Sequence, residues 1–147
     1  LFSQAHYVES IKPQASSSAL WNDVFLFHWK EESQHALLDE VEWTRCDRAL
    51  SPTQRDAAVN DFIALVGAVD ALLKAQSRAD VDYFFHAADA RFSNEQVREL
   101  EAAVLRAYRW QYIISGAKHP RFLKLLMGMI TPAQAERVTQ ALAPIMA

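Results

Sequence analysis

Glycine is nearly missing from this chain, with three in 147 residues. Tight turns between strands draw on glycine's conformational freedom, so the scarcity argues against a strand-rich fold. Cysteine occurs once, at Cys46, which excludes an internal disulfide and fits a reducing, cytoplasmic setting. No run approaches the ~18 consecutive apolar residues of a membrane span, so no membrane partner is expected. No basic block exists either: 15 Lys and Arg are mixed with 18 Asp and Glu for a net charge of -3, which disfavours nucleic-acid binding. The opening LFSQAHYVES has neither a basic leader nor a long apolar stretch, so it does not read as a signal peptide.

What is present is helical punctuation. Ser51-Pro52 with Gln54, Ser93 with Gln96, and Thr131-Pro132 with Gln134 each read as a helix N-cap closed by a capping box. Apolar residues recur at helical spacing between them, at Phe62, Leu65, Val66, Val69, Leu72 and Leu73 for example. The spacing predicts one helical domain over residues 1–147. Its expected helices span residues 1–12, 19–49, 52 to about 90, 94–115 with Gly116 as a left-handed cap, 120–127 and 132–145. Leu1 opens inside an amphipathic pattern and is not Met, so the expectation is of a fragment or processed product.

The second helix carries the chemistry. With His28 as zero and about 100° per residue, Glu32 falls near +40° and His35 near −20°, so the three share an arc of about 60°. Asp39 and Glu42 continue that stripe, and Trp21, Val24 and Phe25 begin it. Two imidazoles and a carboxylate on one face can give nitrogen and oxygen ligands to a transition metal. Zinc-protease spacing needs two histidines four apart, whereas these are seven apart. The opposing reading makes the stripe a solvated face, with Leu26, Phe27, Leu37, Leu38 and Val41 turned to the core. That face would also have to hold Lys30, Ser33 and Gln34. Apolar residues occur on nearly every side, which suits a helix buried within a bundle.

The stretch FHWKEESQHALLDEVEW, Phe27 to Trp43, resembles the last ligand helix of the ferritin-like di-iron superfamily. The nearest pattern, H-x3-E-x2-H, is that of p-aminobenzoate N-oxygenase-type enzymes and of a family of predicted metal-dependent hydrolases. The resemblance implies a ferritin-like bundle holding iron as a di-iron centre, or manganese, that oxidises a small organic substrate with O2. It makes His28, Glu32 and His35 metal ligands, with Glu32 able to bridge. No other residue acquires a catalytic role. Asp39 is expected to brace His35, and Phe25, Phe27 and Trp29 to keep the centre dry.

A complete site needs carboxylates from further helices. With the first loop centred near Ala15, the residue level with His28 falls near Phe2 and that level with Glu32 just before Leu1. The missing ligands are therefore expected from a preceding N-terminal portion or from a second chain, through homo-oligomerisation. Weaker candidates within the chain are His6 with Glu9, and Asp82 with His86 and Asp89; each reads more simply as a surface group. His119 reads as a loop residue, and Trp29, Trp43, Tyr108, Trp110 and Tyr112 as core packing. A helical interaction module without chemistry, or a ferritin-like relative that has lost its metal, is the alternative.

Overall fold

The computed structural model describes residues 1–14, 16, 18–88 and 92–146. Among them there is no strand, and the chain is all-α. Helix α1 (Phe2–His6) widens into a π-helical stretch (Tyr7–Ile11) and ends ahead of Pro13, which cannot donate to a helical ladder. Helix α2 (Ala19–Ala49) starts at Ser18, whose hydroxyl accepts the Trp21 N–H. Ser51 caps α3 (Pro52–Ala87), which runs unbroken through Ser77. Ser93 caps α4 (Asn94–Arg109), and in both cases the reciprocal glutamine bond closes the capping box. Helices α6 (Pro120–Met129) and α7 (Pro132–Met146) follow, and Thr131 and Gln134 exchange the same pair of bonds at the start of α7.

One helix end and one cap differ from expectation. The fourth helix does not end at Gly116. It passes through a π-helical stretch (Trp110–Ile114) into the short α5 (Ser115–Ala117), and Gly116 lies inside it without a left-handed φ. Gly116 instead allows close approach, since a Cβ there would sit 3.6 Å from the Cβ of Phe2. Pro120 ends the run, because the residue before a proline is driven to extended backbone. His119 is extended accordingly, and it is more than a loop residue: its Nδ1 accepts the Arg121 N–H and caps α6.

The core is built where α3, α7 and the Trp110–Ile114 stretch meet. Val59, Leu73, Ile113, Val138, Leu142 and Ile145 are buried together there, with Phe62, Val66, Leu105 and Tyr108 around them. The buried carboxylate of Asp70 is paired. Asp70 receives Arg109 Nε at 2.6 Å and Nη2 at 3.0 Å, with Lys74 Nζ at 2.7 Å. Arg109 ties α3 to α4, whereas Lys74 is on α3 itself. The Arg109 hydrogen bond holds the Asp70 carboxyl below its ordinary value, outweighing the opposite effect of burial. Tyr108 donates to Asp80 across the same helix pair, which pushes its pKa up to about 12.

Helix α2 stands apart from that core. None of its residues is buried, which corrects the expectation of a helix enclosed within a bundle. Its half-buried residues Asn22, Phe25, Leu26, Trp29, Ser33, Ala36, Glu40, Trp43, Thr44 and Asp47 form one face, between about +60° and +160° from His28, with half-buried Glu32 at its edge near +40°. The aromatics choose that side: Trp29 packs on Tyr7 with ring centroids 5.3 Å apart, and Trp43 stacks on Phe122 at 5.6 Å. Ser33 and Gln34 therefore part company, Ser33 facing α1 and Gln34 facing solvent. Leu20, Trp21, Val24, Phe27, Leu37, Leu38 and Val41 are all exposed.

Candidate metal centre

The donor stripe lies at the seam between the packed face of α2 and its exposed apolar face. Glu32 and His35 meet one turn apart, Nδ1 to Oε1 at 3.4 Å, with side chains 31% and 56% exposed respectively. His28 is exposed and makes no hydrogen bond or ion pair among the described residues. It lies seven residues from His35, so the two imidazoles are rooted about 10 Å apart along the axis. One ion bound by both would have to sit between them, with each ring reaching along the axis from its own end. Among the described residues no group of three or more His, Cys, Asp or Glu side chains converges to hold a metal ion.

The donor types suit a transition metal, but one chain does not close a di-metal site. Glu32 and His35 form a chelating half, and His28 forms the beginning of another. The apolar wall expected from Phe25, Phe27 and Trp29 is also incomplete, because Phe27 faces solvent at 64% exposure.

Direct bonds fix how α1 lies on α2. Gln4 Nε2 donates to the Trp29 carbonyl at 3.1 Å, and Ser33 Oγ donates to Gln4 Oε1 at 2.9 Å. Gln4 is thus level with residues 29–33, so the position across from Glu32 lies within the chain and is an amide rather than a carboxylate. The loop-centred count misplaced this level by several residues, because the π-helical stretch and the Pro13 turn shift the register of the first hairpin.

The weaker candidates fall in different places. His6 turns toward α2, with its ring 5.9 Å from that of Phe25, and shares a cavity of about 170 Å³ with His28, Trp29 and Tyr112. Desolvation there lowers the His6 pKa, which favours the neutral imidazole. Glu9 points to solvent and does not accompany it. Asp82 and His86 are exposed near the end of α3, and His86 Nδ1 is 2.7 Å from the Asp82 carbonyl oxygen. Asp89 lies outside the described residues. Phe84 and Phe85 beside that stripe are not core residues. Phe84 is exposed, and the pair clusters with Phe92, whose ring lies 4.4 Å from that of Phe85.

Asp39 makes no hydrogen bond to His35 among the described residues, where Glu32 takes that place. Asp39 and Glu40 instead edge a cavity of about 430 Å³ lined by Phe2, Trp43, Phe62, Val69, Tyr112 and Phe122. That volume is in the range of small-molecule sites. Glu40 is tied there to Arg121 of α6. Nothing in the sequence pattern pointed to this cavity, which forms from side chains of α1, α2, α3, the Trp110–Ile114 stretch and α6 meeting loosely. Ion pairing between helices was equally hidden, since Asp70 and Arg109 are 39 residues apart.

No family model, no curated protein and no solved structure matches this chain.

Proposed function

We propose that the chain contributes ligands to a non-haem metal centre, with iron or manganese as the metal and a ferritin-like arrangement of helices around it. His28 and His35 act as terminal ligands, and Glu32 as a chelating or bridging one. One observation carries this reading. Two imidazoles and a carboxylate line the edge of one helix, Glu32 and His35 already in contact, and His35 and Glu32 have no other polar partner among the described residues. A metal of this kind, when bound, supplies O2-dependent oxidation chemistry. The chain's own part is to hold the donors and to offer an apolar cavity edged by the same helix, one turn from His35 at Asp39.

The reading is tested by metal content. Freshly purified protein is expected to carry close to one transition-metal ion per chain by mass spectrometry, and Glu32→Ala to lose it. Asp82→Ala, on another helix, should keep it. Unchanged metal content in Glu32→Ala contradicts the ligand assignment.

A second reading is supported by the exposed apolar side chains of α2 and by the lack of a three-donor cluster among the described residues. In it α2 is a docking face without chemistry, and no metal is retained in either variant.

A further inference from the structure

We infer that the metal site is completed by a second copy of this chain, two α2 helices pairing antiparallel so that each ion is held by His28 of one copy and His35 of the other. The inference rests on the ligand assignment above and adds the partner that the half-site lacks.

Three features of α2 meet in this arrangement. The first is register. His28 and His35 are symmetric about a point between residues 31 and 32, close to the middle of the helix at residue 34 (Ala19–Ala49). An antiparallel pair with its two-fold axis at that point sets His28 level with His35 of the second copy at both ends. The two Glu32 side chains then lie within about 1.5 Å of the same level, between two ions about 10 Å apart, each Glu32 beside the His35 of its own chain and so placed to serve that ion. Some 26 residues of each helix overlap, or about 39 Å at the helical rise.

The second feature is area. Leu20, Trp21, Val24, Phe27, Leu38 and Val41 are between 51% and 75% exposed. They occupy the arc from about −140° to +20°, adjoining the donors. With the donor side chains they offer on the order of 800 Å² per copy, the amount one partner gives to a standard interface. A patch of this size left bare is unusual on a monomer.

Charge is the third. The same arc and its edge carry Asp23, Glu31, Glu32, Asp39 and Glu42, of which only Glu42 has a cationic partner, Arg45 at 2.8 Å. Two such stripes face to face repel each other unless cations lie between them. Pairing should therefore depend on metal, the ions offsetting the carboxylate repulsion that would otherwise keep the apolar arcs apart.

Zinc chloride is a redox-inert probe for the test, with mass measured by light scattering and bound ion by equilibrium dialysis. The chain in chelator is expected to be monomeric, and Zn²⁺ to convert it to a dimer binding one ion per chain. His28→Ala and His35→Ala should each weaken Zn²⁺ binding at least tenfold. Mixed in equal amounts they should regain about one tight site in four, because half of random pairs are mixed and each mixed pair keeps one intact His28–His35 site. Leu38→Glu keeps every donor and should remain monomeric in Zn²⁺.

A monomer that binds Zn²⁺ tightly, or a mixture of the two histidine variants that regains nothing, overturns the proposal while leaving the ligand assignment standing. A dimer equally stable in chelator overturns the dependence on metal. Absence of Zn²⁺ binding in both wild type and mixture overturns the proposal and the ligand assignment together.

Discussion

Replacing Arg109 by Leu should be among the most damaging single changes in the chain. Asp70 is 4% exposed and lies in the middle of α3, where its carboxylate depends on three N–H donors, two of them from Arg109. Removing the guanidinium leaves a buried charge with Lys74 alone at 2.7 Å. Breaking a buried pair costs about 3–5 kcal/mol, and the surviving Lys74 contact places this case near about 3. For a chain of this length that corresponds to a fall in Tm of roughly 6–12 °C.

The matched double variant, Asp70→Leu with Arg109→Leu, removes the stranded charge and should recover most of the loss, because a well-packed apolar pair can replace a buried ion pair. The pair also has a pH signature. The Asp70 carboxyl titrates lower in the folded chain than when unfolded. Its stabilising contribution is therefore present above the unfolded value, about 3.9, and is lost as pH falls through the folded one. Urea unfolding of the three variants and wild type at pH 7 and pH 3 provides the assay. An Arg109→Leu cost below about 1 kcal/mol, or a double variant no better than the single one, refutes this account of the α3–α4 contact.

Gly67→Ala should stabilise the chain by about 0.5–1 kcal/mol in thermal unfolding, since a Cβ there meets nothing within 4 Å in the middle of α3. Gly116→Ala should be tolerated or mildly stabilising, as its Cβ would make ordinary contact with Phe2; a loss above about 1 kcal/mol would restore the left-handed cap rejected above. Ser51→Ala and Ser93→Ala should each cost about 1 kcal/mol by urea unfolding through loss of a capping box. His28→Ala should change the stability of the metal-free chain by less than about 0.5 kcal/mol, because the side chain is exposed and unpaired.

Most of the helix starts were legible in the residues, because Ser51, Ser93 and Thr131 announce themselves through local chemistry: a hydroxyl, a proline or acid in the first turn, and a glutamine three residues on. The helix ends were less so. Gly116 looks like a cap in isolation, but it is needed for the approach of Phe2 from over a hundred residues away, and no local pattern reports that. The donor stripe of α2 was visible because angular position follows from the helical repeat. Which neighbours the stripe has was not visible, since apolar residues surround α2 and periodicity cannot say which arc is covered. Trp29 on Tyr7 and Trp43 on Phe122 decide that, and they leave Leu20, Phe27 and Leu38 bare. The level of Gln4 against Ser33 was misjudged for a related reason, as a π-helical stretch alters register without a signature in composition.

Whether His28, Glu32 and His35 bind a metal ion is tested most directly by imidazole NMR during a Zn²⁺ titration. The His28 and His35 ring signals are expected to shift together to saturation at one ion per chain. The signals of His86 and His119, on other helices, should stay in place, and Glu32→Ala should abolish the shifts. Imidazoles of His28 and His35 that remain unperturbed by a stoichiometric excess of Zn²⁺, or that respond no differently from His86, would contradict it.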